Sequence, residues 1–562
     1  MRLCSQKGIA PRDSFFSLEV DMLKEKRRSI TGGHGLLSGV MLLAAANVFV
    51  KIMGFFYKVP LNAVLGDEMA NVNAAYSIYV LLYTVSTAGV PNAVSLSVSR
   101  ARAAHDRGLA ERILRVSLGA LFSLGVLLSL LLALLARPLS LLNSGGDSYL
   151  CLLAIAPALA FSAANSVLRG YFQGFERMEP TAISELLEAL GKTVIGLVLA
   201  YLALHKLNGD TQTAAALAVF AITAGVGMSA GYLALRYRKE QKGIPPSSLA
   251  RQERLVPSRT VLLGILRLAL PITLTSAMMS LSSLLDAQLM RPLLSGYYQD
   301  AAWAKAIYSD YSTGALTLYN LPMVLITPLT AAMIPYVSRT LAAGEKGKAA
   351  YAMETALRAA AALSLPCAFG LSALASPILA FVFRGDGDMA QNVGPLLSVL
   401  ALAVFFSAVF TVTGGVLQAA EKEKLPLVSL GVGVVVKLAS LVLLTRRFGE
   451  IGVPVSTVLF FVTVSLLNLL LMRRAIGIRV RFAKSFLKPA LAAILAATIA
   501  VTVYRFLISS HADSLCLLAS ILLCALFYAL FLLLFRCVGK EELMMLPPSL
   551  RSKFVKISKK WK

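Results

Sequence analysis

Acidic residues are scarce in this chain: 29 Asp and Glu stand against 54 Lys and Arg in 562 residues, and charged residues of both signs make up only 15% of it. Soluble domains carry about 25% charge, so a soluble globular protein is excluded as the main reading. The six cysteines, Cys4, Cys151, Cys367, Cys516, Cys524 and Cys537, form no C-x-x-C pair, and most lie in apolar stretches, where free cysteine acts as a small packing residue. Four scattered histidines have no metal-ligand spacing, so neither a metal nor another cofactor is expected. No G-x-x-x-x-G-K-[ST] loop occurs, which argues against a nucleotide-driven pump. Few gaps between apolar stretches are long enough to fold alone, which leaves no room for a soluble catalytic domain.

What is abundant is apolar surface. Hydrophobic residues make up 57% of the chain, and a spanning helix needs about 20 of them in succession. About fourteen such segments can be read, near 36–56, 72–97, 113–136, 149–170, 182–204, 212–235, 260–290, 307–337, 352–383, 391–419, 425–445, 451–472, 486–507 and 514–535. The expected fold is therefore an all-α polytopic membrane protein. The net charge of +25 then needs no nucleic acid. Lys and Arg gather in alternate gaps, with about 39 on the side of the N-terminus and about 9 on the other, as cytoplasmic loops require. The strongest clusters are Lys24–Arg28, Arg100–Arg115, Arg236–Arg259, Arg473–Lys488 and Arg551–Lys562. This pattern predicts that both termini are cytoplasmic. The N-terminus has no cleavable signal pattern, and Met22 before Lys24–Arg28 reads as a second start.

The chain also repeats itself. Val98-Ser99-Arg100, Ala103-Ala104, Gly108 and Ala110 recur 239 residues later as Val337-Ser338-Arg339, Ala342-Ala343, Gly347 and Ala349. Gln173, Glu176-Arg177 and Lys192 recur 245 residues later as Gln418, Glu421-Lys422 and Lys437. A lag of six segments keeps both copies in one orientation, and such duplicated bundles enclose a substrate path between their halves. The expected organisation is a tail over 1–30, an N-lobe over 31–235, a basic linker over 236–259, a C-lobe over 260–473, two further helices over 474–538 and a basic tail over 539–562.

Ionisable residues inside spanning segments are costly and mark substrate or ion paths more often than packing. Lys51, Lys192 and Lys437 would line a cavity for an anionic head group, a phosphate or pyrophosphate, which lysine binds as a point charge. Asp286 and Glu188 would balance charge, bind a coupling cation or take up a proton. The alternative is local pairing, Glu188 with Lys192 as an i,i+4 pair and Lys51 snorkelling to an interface. Gly89-Val90-Pro91, Pro157, Pro271, Pro322 and other prolines mark bends in the spans.

Several motifs carry a family resemblance. Lys51-Ile-Met-Gly-Phe-Phe-Tyr-Lys-Val-Pro-Leu61, Leu65-Gly-Asp-Glu68, Ala75-Tyr76-Ser-Ile-Tyr79 and Ser86-Thr-Ala-Gly-Val-Pro91 resemble the stage V sporulation protein B group of polysaccharide-biosynthesis membrane proteins. So do Leu168-Arg-Gly-Tyr-Phe-Gln-Gly174, Pro180-Thr-Ala-Ile-Ser184 and Asn320-Leu-Pro322. This group belongs with the lipid II flippase MurJ group in the multidrug/oligosaccharidyl-lipid/polysaccharide flippase superfamily. The resemblance implies two six-helix lobes plus two C-terminal helices, a cationic cavity and alternating access, with Lys51, Glu188, Lys192, Asp286 and Lys437 where the group carries polar or charged residues. The implied cargo is an undecaprenyl-pyrophosphate-linked saccharide such as lipid II. The implied setting is the bacterial cytoplasmic membrane, with the bilayer, the lipid-linked saccharide and a coupling cation (H+ or Na+) as partners, no nucleic acid, and one chain acting alone. Tyr57 and Lys58 stand where the lipid II flippases keep an arginine pattern. Two other readings use the same composition: a cation-coupled drug exporter, which needs an acidic and aromatic cavity, and a membrane glycan polymerase or ligase. The latter needs a cluster of acids, His or Arg at an aqueous face, for which Arg384-Gly-Asp386-Gly-Asp388 is the nearest candidate.

Overall fold

A computed structural model describes residues 42–535, apart from 44, 105, 145, 206–209, 242–256, 384–386, 421, 423, 478–485 and 508–512. The expected terminal tails, most of the basic linker, Glu421, Arg384–Asp386, Cys4 and Cys537 lie outside the described residues.

Helices account for nearly every described residue. The first half holds α1 (45–65), α2 (Met69–Thr87), α3 (Val90–Ala103), α4 (Arg107–Ser144), α5 (Tyr149–Ile155), α6 (Ala158–Gly174), α7 (Glu179–His205) and α8 (Thr211–Gln241). The second half holds α9 (Ser258–Tyr298), α10 (Ala301–Asp310), a π-helical turn (Tyr311–Ala315), α11 (Leu316–Asn320), α12 (Met323–Ala342), α13 (Lys346–Ala373), α14 (Ala375–Val382), α15 (Gly387–Ala419), α16 (Lys424–Phe448) and α17 (Gly452–Ile476). The pair α18 (Lys488–Leu507) and α19 (Asp513–Leu534) follows.

Local chemistry sets the helix ends. Asp106, Asp210 and Asp300 each accept a hydrogen bond from the backbone N–H three residues on, at 2.8, 2.8 and 3.0 Å. These aspartates satisfy donors that a helix start leaves free, which gives several of the scarce acids a structural purpose. Gly477, with φ of 77°, ends α17 in the left-handed conformation, where glycine has no Cβ penalty.

Eleven helical runs among the described residues are long and apolar enough to cross a membrane, against the fourteen segments read from sequence. Two of the runs, Ala45–Ala103 and Lys424–Ile476, extend over 59 and 53 residues, well beyond the roughly 20 that one crossing needs. Each contains a 3-10 turn, Gly66–Glu68 in one and Gly449–Ile451 in the other. Segment 307–337, expected as one helix, is instead broken by the π turn and again at Leu321-Pro322. Large apolar side chains point outward, among them Leu134 and Phe506, each 78% exposed. Such a surface is stable facing lipid, and helices satisfy their own backbone there.

Packing follows the two halves, with one helix shared. The long α9 lies against α2, α3 and α4 of the first half and against α16 of the second. At the break after α2 the Gly89 backbone is so close to Ala269 that a Cβ would stand 2.2 Å from its carbonyl oxygen. The Gly89 N–H donates to Thr273 Oγ1 at 3.2 Å. Glycine is needed at this crossing because only its backbone can approach so closely, and Pro91 fits the first turn of the helix that follows. The pair α18–α19 packs on α13, where the Tyr528 hydroxyl donates to the Ala362 carbonyl at 2.9 Å. Cys524 and Tyr528 belong to the same buried cluster as Leu357 and Ala361.

Candidate functional site

Three neighbouring cavities share lining residues, two of them between the halves and one within the first. One of about 360 Å³ is lined by Lys51, Lys58 and Lys192, with Tyr57, Asn73, Tyr76 and Asn320, and no carboxylate stands on its wall. Tyr76, Lys192 and Ile222 also line a neighbouring chamber of about 340 Å³ that carries Arg169, Glu185 and Glu188. On the other side Lys58, Asn73, Tyr76, Asn320 and Met323 are shared with a chamber of about 500 Å³ that reaches Asp286 in the second half.

The lysines come from two helices. Lys51 and Lys58 sit two turns apart on α1, whose Tyr57 and Leu61 are buried with the first half while Phe55 and Val59 pack against the second. Lys192 comes from α7. That helix is drawn onto α8 at Gly191 and Gly225: a Cβ on Gly225 would lie 2.7 Å from the Glu188 carbonyl oxygen and 2.9 Å from the Lys192 nitrogen. Small residues permit this approach, which is how helices associate where no hydrophobic drive operates. Lys192 Nζ lies 5.8 Å from the centre of the Tyr57 ring, within cation–π reach. The Tyr57 hydroxyl donates to the Ala218 carbonyl at 3.4 Å, and Lys58 Nζ donates to the Ser312 carbonyl at 3.3 Å.

Glu188 bonds across to another helix. Its Oε2 accepts from Arg169 Nη2 at 2.8 Å, and Arg169 also donates to Ser184 Oγ at 2.9 Å and Ser229 Oγ at 3.2 Å. This ties α6, α7 and α8 together with charge-assisted bonds. Arg169 lies at the edge of an apolar segment, so its charge was a signal available in the sequence. Lys58 fell past the expected end of the first segment at 56, but α1 continues to 65 and brings it to the cavity.

Lys437 is placed differently. It is fully buried, and its Nζ donates to Asp286 Oδ2 at 2.8 Å and to Thr457 Oγ1. Asp286 lines the 500 Å³ chamber and Lys437 does not, so the carboxylate stands between the lysine and the cavity. Of the five predicted residues, the structure brings Lys51 and Lys192 together on one wall, sets Glu188 beside Lys192 on the next chamber, and joins Lys437 to Asp286 in the other half.

Near the Gly66–Glu68 turn, polar contacts join the halves. Lys305 Nζ meets Glu68 Oε1 at 2.6 Å, Asn73 Nδ2 donates to Ser312 Oγ and Thr313 Oγ1 at 2.8 and 2.9 Å, and Arg291 Nη1 donates to Asn71 Oδ1 at 3.3 Å. Among the described residues no group of three His, Cys, Asp or Glu side chains could hold a metal ion.

Comparison with known proteins bears on the fold and the family. The model of the family "Polysaccharide biosynthesis protein" matches residues 36–341, and that of "Lipid II flippase MurJ" matches residues 195–524. The chain is 26% identical over 465 residues to the lipid II flippase MurJ of Bacillus subtilis, covering 79% of this chain and 83% of that one. It is 26% identical over 523 residues to stage V sporulation protein B of the same organism, covering 91% and 97%. Among solved structures, a lipid II flippase MurJ in an inward closed conformation superposes with a TM-score of 0.66 at 16% identity, over 88% of this chain and 99% of that one. An inward-facing multidrug resistance MATE family transporter of the MOP superfamily superposes with a TM-score of 0.62 at 16% identity, over 78% and 98%. These two share the helical fold of this chain. Where these names state an activity it is that of a flippase or a transporter, not of an enzyme. A cavity lined by lysines thus sits in a helical chain that belongs to the polysaccharide biosynthesis protein family and is related to the lipid II flippase MurJ.

Proposed function

We propose that the protein is a flippase that moves an undecaprenyl-pyrophosphate-linked cell-wall saccharide, lipid II in particular, across the bacterial cytoplasmic membrane. The observation that carries this reading is the clustering of Lys51, Lys58 and Lys192 on one cavity without a carboxylate on its wall. Lysines at membrane depth are costly; Glu188 lies near Lys192 on the adjoining chamber, and a pyrophosphate in the lysine-lined cavity would supply further anionic charge by point-charge contact. The relatives named for lipid II and for sporulation support a lipid-linked glycan as cargo.

The basic clusters orient the chain with both termini in the cytoplasm. The end where Glu68, Lys305, Asn73 and Ser312 meet is then external, and the cavity is loaded from the inside. Cargo that binds the two lobes better in the outward state shifts the population toward it, and the polyprenyl tail stays in lipid while the head group crosses. Such movement breaks no covalent bond. A MATE-type exporter of cationic drugs would need acids on the central wall, where this chain has lysines.

The test uses a bacterium depleted of its own lipid II flippase and complemented by this protein. Lipid II exposed on the outer face is scored, with membrane insertion verified. Wild type restores exposure, and a variant with Lys51→Ala, Lys58→Ala and Lys192→Ala does not. Rescue by that variant would remove the lysines from the mechanism, and failure of a well-inserted wild type would reject lipid II as cargo.

A further inference from the structure

The lysine-lined cavity holds one residue that packing does not explain. Gly54 lies inside α1 and on the wall of that cavity. Among the described residues it is the one glycine on the walls of the three cavities above. Glycine inside a helix is less stable than alanine, so it needs a reason, such as a close approach or an unusual backbone. Gly54 has neither. Its backbone is helical, and a Cβ built on it would find no neighbouring atom within 4 Å outside its own stretch of helix.

Other glycines near this cavity do have a packing reason. A Cβ on Gly196 would stand 2.7 Å from the Tyr57 hydroxyl, and one on Gly191 would stand 2.8 Å from the Gly225 Cα, so these let α1, α7 and α8 approach one another. Gly119, Gly231 and Gly264 also face open space, but they are exposed and line none of the three cavities. Gly54 alone combines an empty surrounding with a place on a cavity wall.

What flanks the gap gives it a use. Lys51 stands three residues before Gly54 and Lys58 four after it, and both line the same cavity. Residues three and four apart share a face of a helix. Gly54 is therefore the bare step between two lysines whose Cα atoms are about 10 Å apart along the axis, at a rise of about 1.5 Å per residue. A single phosphate is satisfied by one lysine. Two linked phosphates spread their charge along the helix and meet both lysines best when they lie close against the backbone between them, where any side chain would stand in the way. We propose that Gly54 is the step that seats the pyrophosphate, and that it sets the preference of the cavity for a lipid diphosphate over a lipid monophosphate. This assignment rests on the flippase reading above.

The experiment measures binding of undecaprenyl phosphate and undecaprenyl pyrophosphate to the purified full-length protein in detergent, with the melting temperature read on the same preparations. Wild type is expected to prefer the pyrophosphate by about tenfold or more, the worth of one further charge-assisted contact. Gly54→Ala should melt at or above the wild-type temperature, because alanine favours the helix, yet lose about threefold of that preference. Gly54→Leu should lose nearly all of it. Affinity for the monophosphate should change less than about twofold in Gly54→Ala, too little to represent a lost contact. A Gly54→Ala protein that keeps the full preference would overturn the seat, whether or not Gly54→Leu folds, and would leave the pyrophosphate reading of the lysines in place. An equal loss of both lipids, which marks a structural role, or a wild type that binds the two lipids equally would overturn it in the same way. A wild type that binds neither lipid would overturn the flippase reading as well.

Discussion

Lys192 and Lys437 hold the same position in the two copies of the repeat, 245 residues apart, yet they live in opposite surroundings. Lys192 sits on α7 beside a cavity, near the face of Tyr57. Lys437 sits on α16, fully buried and bonded to Asp286 of α9. The same contrast holds for the acids: Glu188 is held by Arg169 in a partly exposed pair, with side-chain exposures of 33% and 12%, and Asp286 by Lys437 in a buried one, at 7% and 0%. The two sequence motifs carry matching lysines, and their neighbours leave one beside a cavity and make the other a tie between helices. A buried ion pair adds little net stability but is expensive to break, so the C-terminal lobe carries the less tolerant of the two sites.

That contrast can be broken most forcefully at Asp286. Asp286→Ala leaves Lys437 buried and unpaired and should cost about 3–5 kcal/mol, read as a lower melting temperature of the purified protein. Pairing Asp286→Leu with Lys437→Met should recover most of the loss, because an apolar replacement of the whole pair is often neutral. Gly225→Leu comes next. It forces a side chain between α7 and α8 and should cost about 1–3 kcal/mol by overpacking, and a thiol probe at Lys192→Cys would report the displaced helix as altered reactivity. Glu188→Gln should cost only about 1 kcal/mol, since Arg169 keeps Ser184 and Ser229 and the pair is partly solvated. Lys348→Ala removes an exposed pair with Glu345 at 2.8 Å and should shift stability by less than about 0.5 kcal/mol, which sets the floor for the series.

Much of this was legible in the sequence because it depends on local patterns. Apolar runs gave the spans, and charges inside them pointed to Lys51, Lys192, Asp286, Glu188 and Lys437. What failed were statements that depend on tertiary neighbours. The i,i+4 spacing offered Lys192 as the partner of Glu188, but Arg169 arrives from α6 and takes its Oε2. Nothing in one segment says that Asp286 and Lys437, 151 residues apart, will meet. The break at Tyr311–Ala315 was hidden because a π turn keeps helical composition, and Lys58 fell past the expected end of the first segment at 56. The contacts between the halves, Glu68 with Lys305 and Asn73 with Ser312, join residues more than 230 positions apart and carry no local signature.

The most direct test of the central claim compares Lys192→Met with Lys437→Met, measuring melting temperature and affinity for undecaprenyl pyrophosphate on the same preparations. Lys192→Met should keep the wild-type melting temperature and lose about tenfold or more in affinity, the loss of one charge-assisted contact. Lys437→Met should melt lower and, below its transition, bind the lipid with nearly wild-type affinity. A Lys437→Met protein that is fully stable but binds as poorly as Lys192→Met would contradict the division of labour between the two lysines.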